Sequence, residues 1–528
     1  MYRFRLNTTR AVGGAVVLAP VAACGDLTVA PKSTITSANI FNDPASYQAF
    51  LAKLYAGLAT SGQSGPAGDA DIAGIDEGFG QYIRGYWQLQ QLPTDETIIG
   101  WGDTGLPELN TQTWSSSNVF INAMYSRIYY QIALANQFLR ETTDSKVAAR
   151  GASAALKLQV QEFRLEARFL RALSYYHAVD LFGNVPLVDE NADLSAFPRQ
   201  APRAEVFTFV ETELKAIRAG LPPTSTGANY ARASQAAVDM VLAHLYLNAK
   251  VYMGTDRSAD ARVAAELAIG SGATLDPNFI HMFSADNQTS PELIFTVPFD
   301  GVHTKTYGGT TFLVHAGIGG NMSGATYGVD GGWGGTRLRP EAVDRFEGGA
   351  TGPDKRASTI MVVQDSKSIG SIGDFKQGYA YPKYRNTKST GGAGSDLGFP
   401  DTDYPMFRLA DAYLIYAEAV LRGGGGSRTT ALGYINALRT RAYGSTAGNI
   451  TDPQMTLQFI LDERSRELLW EGHRRQDLIR FGQFSDAGIW QWKGGIQAGK
   501  VTTKIHDIYP IPANELSANP NVKQNPGY

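Results

Sequence analysis

Residues 161–188 read QEFRLEARFLRALSYYHAVDLFGNVPLV. Phe163, Ala167, Leu170, Leu173 and His177 recur three or four residues apart and continue back through Val160 and Leu156. That is the repeat of one helical face turned to a core. Ala167, Ala172, Ser174 and Ala178 let a neighbouring helix approach closely, while Phe169, Tyr175 and Tyr176 fill the flanks. Gly183 and Asn184 favour a left-handed cap, and Pro186 cannot continue a helix. The pattern therefore predicts a helix over 156–181, roughly 40 Å long at about 1.5 Å per residue, followed by an extended exit through Leu187.

Working outward, Asp43-Pro44 opens a helix whose Tyr47, Phe50, Leu51, Leu54, Tyr55 and Leu58 share a face. Over 120–139, Met124, Ile128, Ile132, Ala135 and Leu139 keep helical spacing, and a short connection would set this helix antiparallel to 156–181. Pro202 begins another, with Val206, Phe209, Val210, Leu214 and Ile217 inward, ended by Gly220-Leu221-Pro222-Pro223. Residues 233–253 with 259–268, and 406–421 with 429–441, read as further pairs. The small residues Ala236, Ala243, Ala264, Ala265 and Ala268 resemble tetratricopeptide packing at a period of about 34 residues. Recurring helix pairs cover one another's apolar faces, so the expected fold class is all-α, a tetratricopeptide-like helical-repeat array. Residues 301–398 interrupt it. They hold 22 of the 57 glycines and few helical periods, which predicts a loop-rich, partly β lobe, with ELIFTVPF (292–299) as its clearest strand.

Across 528 residues, 47 basic and 50 acidic side chains are mixed along the chain for a net charge of −3, which leaves no footprint for nucleic acid. Cys24 is the single cysteine, so it has no partner within the chain. Arg3, Arg5 and Arg10 precede an apolar run over 11–23, too short to span a bilayer comfortably, with Ala22 and Ala23 just before the cysteine. Val21-Ala22-Ala23-Cys24 resembles a bacterial lipobox, in which Cys24 is diacylated and becomes the new N-terminus. Two or three acyl chains anchor a protein stably where one does not, and Gly25 in place of aspartate favours the outer membrane. The polar, aperiodic residues 27–37 read as a tether.

The seven histidines include no HExxH pair, and the chain has no GxSxG elbow or phosphate loop, so neither a metal nor a cofactor is expected. Asp95 and Glu96 read as turn or cap residues, and glycines 423–426 as a helix-hairpin turn. Arg464, Glu467, Glu471 and Arg474/Arg475, with His473 among them, read as an ion-pair ladder. A glycan binder sets aromatic rings against sugar C–H faces and fixed donors and acceptors against hydroxyls. Two loops have that composition. The first carries Trp101 and Asp103. The second carries Tyr307, Asn321, Tyr327, Asp330, Trp333 and Arg337, with Trp333 inside GGWGG, where its chain neighbours give the ring little cover. Trp87 and Trp114 lie in apolar patterns and read as core.

EARFLRALSYYHAVDLFGNVPLV (166–188), PELIFTVPFDG (291–301), YPMFRLADAYLIYAEAVLRG (404–423), YINALRTRA (434–442), ERSRELLWEGHRRQDLIRFG (463–482) and YPIPANELSANPNVKQNPGY (509–528) follow in chain order. Together they resemble the SusD/RagB family, outer-membrane lipoproteins that capture nutrients, usually glycans, above a TonB-dependent transporter. The resemblance implies a lipoprotein signal peptide over 1–23, a lipidated tether over 24–40 and a single SusD-like domain over 41–528. Within that domain, helical pairs fall within 41–270 and 404–482, the irregular lobe at about 291–403 and an extended tail over 509–528. It implies non-catalytic capture of an oligosaccharide or similar oligomer, delivered to a SusC-like TonB-dependent transporter, with no cofactor. By location and type, the ligand-binding residues would be Trp101, Asp103, Tyr307, Asn321, Tyr327, Trp333 and Arg337. Two other readings stand beside it: a surface-anchored glycoside hydrolase, and a helical-repeat scaffold for peptides or proteins.

Overall fold

The computed structural model describes residues 40–528, so Cys24 and the signal peptide lie outside the described residues. Helix α1 (Ala45–Ala59) leads to α2 (Tyr82–Gln91), α3 (Val119–Glu141) and the long α4 (Ala154–Phe182). Ser153 caps α4 by accepting a hydrogen bond from the Leu156 amide, and Gly183 ends it at φ +73°. A Cβ at Gly183 would lie 2.4 Å from Ile508 Cδ1, so the cap needs glycine for space as well as for its backbone angle. The expected face of α4 is buried from Val160 to His177, and beyond Phe169 the helix is covered on every side. Its C-terminal half is the centre of the core.

The remaining helices continue the array: α5 (Arg203–Arg218), α6 (Gln235–Leu247) and α7 (Ser258–Ile269). Helix α8 (Gly309–Ala316) lies in the glycine-rich lobe, followed in sequence by α9 (Leu409–Leu421), α10 (Arg428–Tyr443), α11 (Leu457–Leu468) and α12 (Arg474–Arg480). Helix α3 packs on α4, α4 on α5, α5 on α6, α6 on α7, α7 on α9, and α9 on α10. Each helix thus covers the apolar face of the next.

Two details depart from the sequence reading. The segment expected to be helical from Met406 starts its helix only at Leu409. Residues Tyr404–Arg408 instead form a fully buried strand, antiparallel to Leu293–Val297. Met406 fits helical spacing, but the neighbouring strand offers this backbone its hydrogen bonds. In the glycine-rich region, α8 went unrecognised because all eight of its residues are buried, which erases helical periodicity.

The charged segment near the C-terminus forms the expected ion pairs, and they extend into a buried network with residues of other segments. Arg356, Lys383, Arg408, Arg439, Arg441 and Arg466 are joined to Asp354, Glu292, Glu463, Glu467 and Glu471. Burial disfavours the charge on Glu467, but Arg441, Arg408 and Arg356 outweigh it and hold its pKa well below the usual carboxylate range. The tail closes over α4. Tyr509 donates its amide to Leu181 O (2.9 Å), and Asn525 Nδ2 donates to Phe182 O (2.9 Å) and Tyr509 O (2.7 Å). Residues Ala513–Ala518 make one short helical turn within a path otherwise expected to be extended.

Candidate functional site

A short antiparallel ladder assembles the site. Strand β1 (Thr97–Ile99) pairs with β2 (Thr336–Leu338), Ile98 opposite Arg337, and the Gly100 amide extends the ladder to Gly335 O at 3.0 Å. This pairing brings the first aromatic loop against the second, although more than 200 residues separate them. The Trp101 indole lies directly over Gly335, where a Cβ would come within 2.7 Å of its ring, and Trp101 Nε1 donates to Trp333 O at 3.1 Å.

Trp333 is held by its own segment. The amides of Trp333, Gly334 and Gly335 donate to His315, Ile318 and Ala316 carbonyls at 2.8, 2.8 and 2.9 Å. Its ring stacks on His315 at 4.7 Å and 17°. The two ring nitrogens of His315 lie 2.7 Å from Gly331 O and 3.1 Å from Gly398 O, and burial lowers the imidazole's pKa. The Trp101 and Trp333 centroids are 6.3 Å apart, tilted by 46°. Tyr307, 43% exposed, stands 6.4 Å from Trp333 at 62° and 5.8 Å from Phe399. Trp101 and Trp333 are half-buried. Three rings from three segments thus form one bent platform.

Arg84, on α2, completes the platform and was not among the sequence candidates. Its guanidinium lies 4.4 Å from the Phe312 ring and 5.7 Å from Trp101, and its Nη1 donates to Tyr307 O at 3.0 Å. Burial lowers its pKa to about 10, against the opposing pull of Asp76 and Asp103. Among the described residues no carboxylate forms an ion pair with it, and its Nε is buried without an acceptor. Asp76 caps the turn before α2, accepting from the amides of Gly78 (2.9 Å) and Phe79 (3.0 Å). A helical arginine among apolar neighbours carries no sequence mark of a ligand contact. Only the fold sets it beside the rings.

Asp103 is exposed beside Trp101. Asn321 is exposed and Tyr327 half-buried in the same lobe, with Arg385 5.7 Å from the Tyr327 ring, and neither makes an aromatic contact with the three rings. Arg337 requires correction. It is fully buried, and its guanidinium donates to Gln377 O (2.8 Å), Ile372 O (2.6 Å) and Gly335 O (3.3 Å). It braces the backbone beneath Trp101 rather than facing a ligand. Trp87 and Trp114 are core, as expected, and Trp87 Nε1 donates to Trp470 O at 2.8 Å.

Asp95 and Glu96, adjacent in sequence, are both buried and part ways chemically. Burial opposes both charges. Arg345 and Arg474 overcome it for Asp95 and hold its pKa below the usual range, whereas Glu96, with Asp95 as a neighbour, is pushed up to about 7. His244, Asp411 and His473 form a buried trio inside the array. Arg464 already sits 3.0 Å from Asp411, so a divalent cation there would meet a fixed positive charge.

The starch-binding protein SusD of Bacteroides thetaiotaomicron is 33% identical over an alignment covering 97% of each chain. The chain belongs to the SusD family. A profile described as "SusD family" matches residues 353–528, and one described as "Starch-binding associating with outer membrane" matches 90–247. Among solved structures, a SusD superfamily protein from Parabacteroides distasonis superposes with a TM-score of 0.72 at 21% identity, covering 94% of this chain and all of that one. Surface glycan-binding protein A from Bacteroides thetaiotaomicron, in complex with laminarihexaose, gives 0.68 at 19% identity, covering 91% and 99%. The tetratricopeptide-like array is therefore the SusD fold.

Proposed function

We propose that the protein captures a curved glucan of the starch type on the Trp101, Trp333 and Tyr307 platform, at the outer membrane, and delivers it to a TonB-dependent transporter. The bent platform carries this reading. Successive rings are tilted by 46° and 62°, so they do not form the coplanar row that suits the flat ribbon of a β-1,4-glucan. The half-buried Arg84 brings a guanidinium beside the Trp101 ring as a donor group for hydroxyls, and the exposed Asp103 offers an acceptor. Sequence similarity to a starch-binding SusD supports the ligand class, and the lipobox at Cys24 supports the anchor.

The hydrolase reading needs one carboxyl held protonated beside the scissile bond. The two carboxyls that burial lifts furthest among the described residues are unsuited to that work. Glu96, at about 7, and Asp403, at about 6, are 1% and 4% exposed. They accept hydrogen bonds from Ser465 and Tyr230.

Calorimetric titration with maltoheptaose, laminarihexaose and cellohexaose tests the ligand. Saturable binding of maltoheptaose and none of cellohexaose is expected, and preference for cellohexaose would overturn the assignment. Delivery is tested by purifying the native protein from detergent-solubilised outer membrane. A TonB-dependent barrel in stoichiometric amount is expected, and a lone protein would contradict it.

A further inference from the structure

We propose that the protein carries a second ligand site, apart from the ring platform, for a small organic anion with an apolar or sugar-like body. A cavity of about 830 Å³ opens between the C-terminal end of α10, the turn at 277–280 and the segment 355–360. That volume falls within the range of small-molecule sites. Pro277, Phe279, Ile280 and Ile360 give it an apolar wall, and Asn278, Thr359 and Thr440 add neutral polar groups. Lys355, Arg356 and Arg441 line it, and no carboxylate does.

The buried network at its back joins six cations to five carboxylates. Asp276, next to the network and hydrogen-bonded by Ser290 and His281, adds a sixth carboxylate, so the cation left without a carboxylate partner at the cavity is Lys355. The Arg441 side chain is 6% exposed. Its terminal nitrogens pair with Glu292 and Glu467, while its Nε is buried with no acceptor. Lys355, at the mouth, is exposed and forms no ion pair among the described residues. The apolar wall is fixed in place, since Lys383 and Arg441 lie 5.2 and 5.4 Å from the Phe279 ring. A carboxylate lodged between Arg441 and Lys355 would satisfy both, with its body against Phe279 and Ile280.

The test titrates the full chain with benzoate and with glucuronate, each against its neutral counterpart, benzyl alcohol or glucose. Saturable binding of at least one anion is expected, with the neutral counterpart about tenfold weaker or more. Which anion binds distinguishes an aromatic acid from an acidic sugar. Lys355→Gln, at an exposed position, should weaken the anion about tenfold, Lys355→Arg should retain it, and maltoheptaose affinity should not move. Absence of saturation by either anion at millimolar concentration, or equal affinity in Lys355→Gln, would overturn the proposal.

Discussion

Arg84 is a half-buried cation whose guanidinium makes one hydrogen bond and no ion pair among the described residues, with its Nε enclosed and unpartnered, an arrangement that costs stability in the free protein. A ligand oxygen at the platform would repay that cost. Arg84→Met should therefore weaken glucan binding by about 1.5 to 3 kcal/mol, the usual worth of a hydrogen bond to a charged group. It should leave the melting temperature unchanged or raise it, because a desolvated charge is removed. Titration alongside calorimetric melting checks both halves, and unchanged affinity would remove Arg84 from the site. The sequence marked Trp333 as a ring with little cover from its chain neighbours in GGWGG, and the fold half-buries it against His315 and beside Trp101. Arg84 carried no such mark, since nothing local separates it from any helical arginine, and Arg337 misled because its burial is set by carbonyls from residues 335–377 that only folding gathers.

At the scale of elements, the β1–β2 ladder couples the platform to the charged core: Ile99 leads to Trp101, and two residues before Ile98 stands Glu96 against Ser465 of α11. The folded state holds a proton on Glu96 up to about pH 7, whereas the unfolded chain releases it near 4.5. Between those values the folded state binds more protons, so stability falls as pH rises through the window. Glu463 and Asp477, which burial opposes but Arg356 and Arg464 hold down at about 2, act oppositely. Their contribution is present above their unfolded values and is lost as pH falls towards 2. Glu96→Gln should flatten the decline in melting temperature between pH 4.5 and 7 while keeping the loss at acid pH, and parallel slopes in the two proteins would refute this role. The helix pairs around this core were readable from spacing because each buries one face. Helix α8 and the strand Tyr404–Arg408 were not, because complete burial removes the alternation that spacing reveals.

Across the whole molecule, the array gives a rigid frame from α3 to α10, and the irregular lobe uses that frame to hold three rings that the chain brings from distant positions. Binding energy at such a site concentrates in a few aromatic anchors, and the two half-buried indoles pack at the margin of the core, so their truncation is expected to leave the array folded. The most direct test is calorimetric titration of maltoheptaose into the wild-type protein and into Trp101→Ala/Trp333→Ala, with melting curves to verify the fold. Loss of the two indoles should weaken binding by about 2 kcal/mol or more, at least thirtyfold, with a near-native melting temperature. Affinity equal to the wild type in a folded double variant would place the glucan elsewhere and contradict the account.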